Sequence, residues 1–395
     1  MGTIIDPAPG EHVAMLRKAR GWTQTQLSDR ASVSTSLLSK IEVGDRALTP
    51  EVAAALGRAF GTSMADVLGR ASVTADDEQL LAKLRSAMRD YDMPDPQAVP
   101  ENRVTAGLQT ADRFRDAVDV AALIILLPGL LRSATTYAHT ANTPQAWSGL
   151  ADVYSTVYWL AARHRWMDMA ELAVTRQRWA VEQQPNPVAE AFSSRDRAGT
   201  YLNFGDVERG LVVIDRAIAA VQSAPLSTAD RDLAVGILNL RGMTLAGRLQ
   251  DKTEGKREAQ RHIESAWRAA RSFPRDIDAH GLTFGPQNTF THVLATQVDL
   301  GRPHDALALT DDLGQALEGL PPTRVAPTRI NAARAQLDLG DRDGALENLS
   351  HAFNSAPQMA RIHPMGREVL RVLASLHRRA NPELKRLSRL SGIRL

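Results

Sequence analysis

Between Gly10 and Gly69, apolar side chains recur three or four positions apart in five short runs, and each run is bounded by residues that start or stop helices. The first, EHVAMLRKAR, places Val13 and Leu16 on one side and stops at Gly21. A second begins at Thr23, whose hydroxyl suits a helix start, and turns Leu27 and Ala31 inward. Ser34 opens the third, with Leu38 and Ile41 at i, i+3 spacing. Thr49 and Pro50 open the fourth, whose inner face carries Val52, Leu56 and Phe60, and SMADVLG is the fifth. Helices of about two turns do not persist alone. The first, fourth and fifth are therefore expected to cover the short pair between Thr23 and Glu42.

Beyond Gly69 a charged helix from Asp76 to Tyr91 leads into DMPDPQAVPEN, whose three prolines favour an extended hinge. This divides the chain into a domain at 1–70, a helical and Pro-rich linker at 71–100 and a helical remainder at 101–395. No sustained period-two alternation occurs, so the expected fold is all-α. In the remainder, a helix ending in a glycine turn followed by a helix opening on a small residue recurs as YLNFGDVERGL, TLAGRLQDKTEGKREAQ, QVDLGRPHDAL and QLDLGDRDGAL. A degenerate earlier copy is LAARHRWMDMAEL. The opening residues are Ala170, Gly210, Ala259, Ala306 and Ala345, 39 to 49 residues apart. That period predicts a solenoid of stacked helix pairs, curved around a concave face.

Charge and composition narrow the possible chemistry. The formal charge is +2, so any attraction to nucleic acid must be local. Residues 1–70 carry eight basic and seven acidic side chains, whereas residues 361–395 carry nine and two. The basic tail alternates Leu and Val with Arg at helical spacing, which suits a cap on the last repeat; backbone contact with DNA by Arg378, Arg379, Lys385, Arg386 and Arg389 is the lesser reading. With no cysteine, disulfides and thiolate sites are excluded, which suits a reducing cytoplasm. The start MGTIIDPAPGEHV lacks the features of a signal peptide, and the longest apolar run, AVDVAALIILLPGLL, is interrupted by Asp119 and Pro128 and reads as a buried helix. No histidine pair has metal-ligand spacing on a helix, and no glycine-rich phosphate loop follows a strand. Neither a cofactor, a metal nor an enzymatic activity is expected.

The stretch from Gly21 to Arg46 resembles the DNA-binding domain of Cro/repressor-type regulators of the xenobiotic-response-element (XRE) family. The resemblance rests on TQxxL (Thr23 to Leu27), ASVS (Ala31 to Ser34) and LLSKIExGxR (Leu37 to Arg46) and spans about residues 10–69. Two positions depart from the pattern: Ser32 stands where the turn usually has glycine, and Leu37 lies on the outer side of the third helix. The resemblance implies a five-helix lambda-repressor-like domain whose third helix enters the major groove. Ser34, Thr35, Ser36, Leu37 and Lys40 then form its outward side, with Thr35, Ser36 and Lys40 as base-edge readers and Leu37 against a thymine methyl. Gln24 is implied as a phosphate contact, and Arg46 is a second candidate. Related domains join the positions of Arg17 and Glu42 by a partly buried ion pair. A reader with one lysine and little net charge is expected to dimerise on a palindromic operator.

The rest of the chain looks like the tetratricopeptide-type (TPR) sensor half of a group of actinobacterial XRE regulators, through FGPQN (Phe284 to Asn288) and HPMGRE (His363 to Glu368). Counting back from each inter-helix glycine places Arg195, Arg241, Asn288, Thr291 and Arg334 on the concave wall. Arginines grouped on one wall suit an anionic ligand, with an acidic or C-terminal-carboxylate peptide as first candidate and a small metabolite as another. His292 lies one turn beyond Asn288. The function these features imply is ligand-responsive, sequence-specific transcription regulation. The alternative is a constitutive DNA-tethered adaptor whose repeats hold a protein partner.

Overall fold

The computed structural model describes residues 8–68, 75–376 and 381–393. Arg378 and Arg379 of the basic tail lie outside them. The N-terminal domain holds α1 (Pro9–Ala19), α2 (Gln24–Ala31), α3 (Thr35–Glu42), α4 (Pro50–Phe60) and α5 (Met64–Leu68). The body begins with α6 (Ala75–Arg89), α7 (Glu101–Asp116), α8 (Val120–Ala141), α9 (Pro144–His164) and α10 (Met167–Val181). It continues through α11 (Pro187–Phe204), α12 (Val207–Ser223), α13 (Thr228–Ala246) and α14 (Lys252–Ala270) to the strands β1 (Ile277–Ala279) and β2 (Leu282–Phe284). Then follow α15 (Pro286–Asp299), α16 (Pro303–Leu307), α17 (Leu313–Ala316), α18 (Pro322–Asp338), α19 (Arg342–Ser355), α20 (Met359–Ile362), α21 (Pro364–Leu376) and α22 (Pro382–Ser391).

The helix starts of the N-terminal domain are fixed by side-chain caps. Thr23 accepts from the backbone of Gln26 at 3.1 Å while Gln26 reaches back to the Thr23 nitrogen, and Ser34 accepts from Leu37 at 3.1 Å. Thr49 accepts from Val52 at the start of α4. Ser32 takes the left-handed conformation, φ 54° and ψ 41°, that ends α2. The turn is therefore made by backbone geometry that glycine adopts more easily, not by the serine hydroxyl. Val13, Leu27, Leu38, Ile41, Leu56 and Val67 are buried together, so α1, α4 and α5 cover the short pair.

In the body, α9/α10, α11/α12, α13/α14, α15/α16 and α18/α19 form the helix pairs; Ala170, Gly210, Ala306 and Ala345 are buried in the first turn of the second helix, whereas Ala259 is buried about two turns into α14, which begins earlier, at Lys252. At Gly210 an added Cβ would stand 2.7 Å from a Leu245 methyl, so neighbouring pairs approach closely there and a larger residue would displace that side chain. The apolar run lies in α8, capped by Asp119, with Leu123, Leu127 and Leu131 buried. Among the described residues this one helix is long and apolar enough to cross a membrane by length and composition, and half of that stretch is buried against the rest of the body.

One expectation changes, and two features add to the expected fold. The segment expected to be a linker is part of the body: Leu81, Leu84, Ala87 and Met88 of α6 lie in the same core as α8 and α10, and the Pro-rich stretch is tied down by the Asp95 nitrogen donating to Thr136 at 2.9 Å. The fold is all-α as expected, apart from one short hairpin in which β1 and β2 pair antiparallel, with Ile277 opposite Phe284. Finally, the solenoid closes on itself. Gln358, next to α20, donates to Asp119 at 3.1 Å and accepts from the Val120 nitrogen at 3.0 Å, which brings the last helices onto the start of α8. The hairpin tip crosses as well, with His280 Nδ1 3.0 Å from Asp152 of α9. The concave wall is thereby converted into a cavity.

Candidate functional sites

The third helix of the N-terminal domain buries Leu38 and Ile41 and turns Thr35, Ser36 and Lys40 to solvent. The side chains of Ser36 and Lys40 make no hydrogen bond among the described residues. The Thr35 hydroxyl lies 2.8 Å from that of Ser28, and Leu37 is half-buried against the domain core, so these two are less available than a count along the helix suggests. Ser34 is occupied as the helix cap.

Behind this face Arg17 forms a two-pronged pair with Glu42, Nε to Oε1 at 2.7 Å and Nη2 to Oε2 at 2.8 Å, while its Nη1 donates to the Trp22 carbonyl at 2.8 Å. Gln24 donates to the same Glu42 oxygen at 2.8 Å, so one of its amide hydrogens is already committed. Burial alone would raise the Glu42 pKa; the bonds from Arg17 and Gln24 outweigh it and hold the carboxyl below its ordinary value. The bond to Glu42 likewise raises the Arg17 pKa. The pair locks the end of α3 to α1. Arg46 is exposed and reaches toward the body, 3.5 Å from Asp338.

The second site is a cavity of about 360 Å³ between the N-terminal domain and the body. Seven arginines line it, against one carboxylate, Asp196. Asp196 is fully buried and already held by Arg195 at 2.6 Å, Ser155 at 2.6 Å and Gln177 at 3.2 Å. Burial, then the neighbouring Arg195, push the pKa of Arg241 and of Arg324 down to about 10. His292 is driven well below its ordinary value by burial and then by Arg324, and His363 down to about 3 by burial and then by Arg163. Pro50, Met64 and Leu68 of the N-terminal domain supply part of the lining.

Of the expected ligand residues, Arg195, Arg241 and Thr291 line this cavity, and His292 joins them. Asn288 and Arg334 do not. Asn288 is buried at the hairpin-to-helix joint, donating to the Thr283 carbonyl at 2.6 Å while its backbone nitrogen meets Asp276. Arg334 is buried in an ion pair with Asp299 at 2.9 Å, and the same carboxylate receives Arg248 at 3.1 Å. Counting from a glycine fixed a helix face but could not see that Asp299 of α15 meets that face. Arg115, Arg163, Arg165, Arg248, Arg324 and His363 were missed. The spacing of Arg324, Thr328 and Asn331 along one side of α18 was the available signal for one of them.

Residues 13–67 match the helix-turn-helix family model, and this part of the chain is a helix-turn-helix domain. Over 58 residues it is 38% identical to the competence pilus inhibition repressor of Acinetobacter baylyi, an alignment of 15% of this chain and 53% of that protein. The chain thus spans about half the length of the curated relative it matches. Among solved structures, that of a PrgX/iCF10 complex aligns over 98% of each chain at 10% identity with a TM-score of 0.29, and that of a PrgX mutant over 96% of this chain at 10% identity with a TM-score of 0.24. At such scores neither likeness carries weight for fold or function.

Proposed function

We propose that the chain is a sequence-specific DNA-binding transcription regulator, acting in the cytoplasm as a homodimer on a palindromic operator, with the helical body as its sensor. The observation that carries this reading is the outward pair Ser36 and Lys40 on a helix held rigidly by the Arg17–Glu42 pair, within a domain matching the helix-turn-helix model. Lysine donates to guanine edges and serine to either base class, so this face can distinguish sequences. Gln24 and Arg46 contribute phosphate contacts, Arg46 after leaving Asp338. One lysine on the reading helix gives a single copy modest affinity, and two copies with readers about 34 Å apart would match successive major grooves. The domain match and the cavity's lining support a binding protein and not an enzyme. Footprinting of bound sites across the host genome tests the proposal: a shared palindromic sequence upstream of transcripts that change on deletion supports it, and scattered occupancy without a common sequence counts against it.

A further inference from the structure

Three of the cavity's arginines, Arg163, Arg241 and Arg324, have no carboxylate within 4 Å among the described residues, whereas Arg195, Arg248 and Arg115 face Asp196, Asp299 and Asp112. Arg163 rests over the ring of Trp159, 3.8 Å from its centroid. The Nε of Arg241, the Nε of Arg324 and the Nη1 of Arg115 are buried without a hydrogen-bond partner among the described residues. Three helices, α9, α13 and α18, each bring one of these uncompensated guanidinium groups to the same cavity. Packing like charges, with buried guanidinium atoms, around one cavity opposes folding unless something neutralises them. Among the described residues Asp116 and Asp278 offset Arg324 only beyond ion-pair distance, and Asp196, which also offsets Arg241, is consumed by Arg195, Ser155 and Gln177.

We infer that this cavity is the binding site of a small organic anion bearing at least two carboxylate or phosphate groups, which Arg241 and Arg324 take from opposite walls. The inference rests on the reading of the body as a sensor and gives that sensor its ligand class. A volume near 360 Å³ lies at the small-molecule end of binding sites, which favours the small metabolite of the two ligand candidates. Trp159, Leu202, Met359 and Ile362 supply apolar lining for the carbon part of the ligand.

The same cavity touches the DNA-reading domain. Pro50, Met64 and Leu68 form part of its wall, and Arg165, another lining residue, donates to the Leu68 carbonyl at 3.3 Å. HPMGRE spans both places: His363, Pro364 and Met365 line the cavity, and Glu368 binds the Leu48 nitrogen of the N-terminal domain at 3.2 Å. An anion that binds more tightly when this wall is in place holds the reading domain docked, and one that binds more tightly when the wall withdraws releases it.

Titration of the full chain with pyrophosphate and with phthalate, against chloride at matched ionic strength, tests the site through tryptophan fluorescence and thermal unfolding. Saturable binding of at least one probe, with a fluorescence response lost in Trp159→Phe, is expected. Arg324→Lys keeps the charge but loses the two-pronged geometry and should weaken binding about tenfold, as should Arg241→Gln. Where a variant does not fold, the wild-type titration decides alone. A response that follows ionic strength without saturating, or binding unchanged in folded Arg241→Gln and Arg324→Lys proteins, overturns the inference. Operator binding is measured in parallel: intact operator recognition with no anion binding removes this inference alone, while anion binding without operator recognition removes the regulator reading alone.

Discussion

The carboxylate of Glu368 accepts a hydrogen bond from the backbone nitrogen of Leu48 at 3.2 Å, and the two residues belong to opposite sides of the boundary between the reading domain and the body. Glu368 is buried, and its other oxygen receives Arg371 at 2.8 Å. Two further bridges flank this one, Arg58 to the Gly205 carbonyl at 2.7 Å and Lys252 to Glu51 at 2.8 Å. The domain is therefore docked by directed bonds as well as by apolar contact.

Glu368→Ala leaves the Leu48 N–H and the Arg371 guanidinium without their partner, which should cost about 1–3 kcal/mol. Glu368→Gln keeps a carbonyl acceptor and should recover part of that. Thermal unfolding together with limited proteolysis reads the outcome: faster cleavage between the domains in the alanine variant is expected, and wild-type behaviour would show that the bond does not hold the domain.

Arg17 and Glu42 should behave as one unit. Their side chains are 11% and 5% exposed, so removing either strands a largely buried charge, at a cost of about 3 kcal/mol. The double variant Arg17→Ala/Glu42→Ala should then be less destabilised than the sum of the singles. Additive losses in a double-mutant cycle would contradict the coupling.

Stability should depend on pH with opposite signs at different histidines. His262 is fully buried against Asn239, 2.8 Å away, and burial pushes its pKa down to about 4. Its unfolded form binds a proton at higher pH, near 6.5, so stability falls as pH drops from about 6.5 to 4, by at most about 1.4 kcal/mol per unit. His292 and His363, with lowered values, act in the same sense. His280 is opposite: despite burial, Asp152 raises its pKa, and its contribution, present below the ordinary value, disappears as pH rises through the folded one. Unfolding midpoints from pH 4 to 8 should show the acid slope, shallower in His262→Gln; an identical slope in that variant would contradict the assignment.

The parts legible in the sequence were those decided locally. Thr23, Ser34 and Thr49 announce helix starts because a hydroxyl satisfies bare backbone N–H groups whatever surrounds it, and Ala170 or Ala345 marks a close helix crossing because only a small side chain fits there. What could not be read was decided by distant partners. The α6 helix looked charged and free, yet Leu81, Leu84 and Met88 meet a core built from α8 and α10. Arg334 had the spacing of a wall residue, yet Asp299 neutralises it. Arg163 carries no local mark of a shared site, and the Arg324, Thr328 and Asn331 spacing marks a helix face without showing what it meets; the closing of the body between Asp119 and Gln358 brings these helices around one cavity.

Selection of bound sequences from random duplex DNA by the full-length wild-type protein, repeated with Lys40→Ala and Ser36→Ala, tests the central claim most directly. The account predicts a palindromic motif with half-sites about one helical turn apart, and a loss of discrimination of about 1–3 kcal/mol at specific base pairs in each variant. Gln24→Ala should instead weaken all sequences alike. Failure of the wild-type protein to enrich any motif, or an identical motif and ranking from Lys40→Ala and Ser36→Ala, would contradict it.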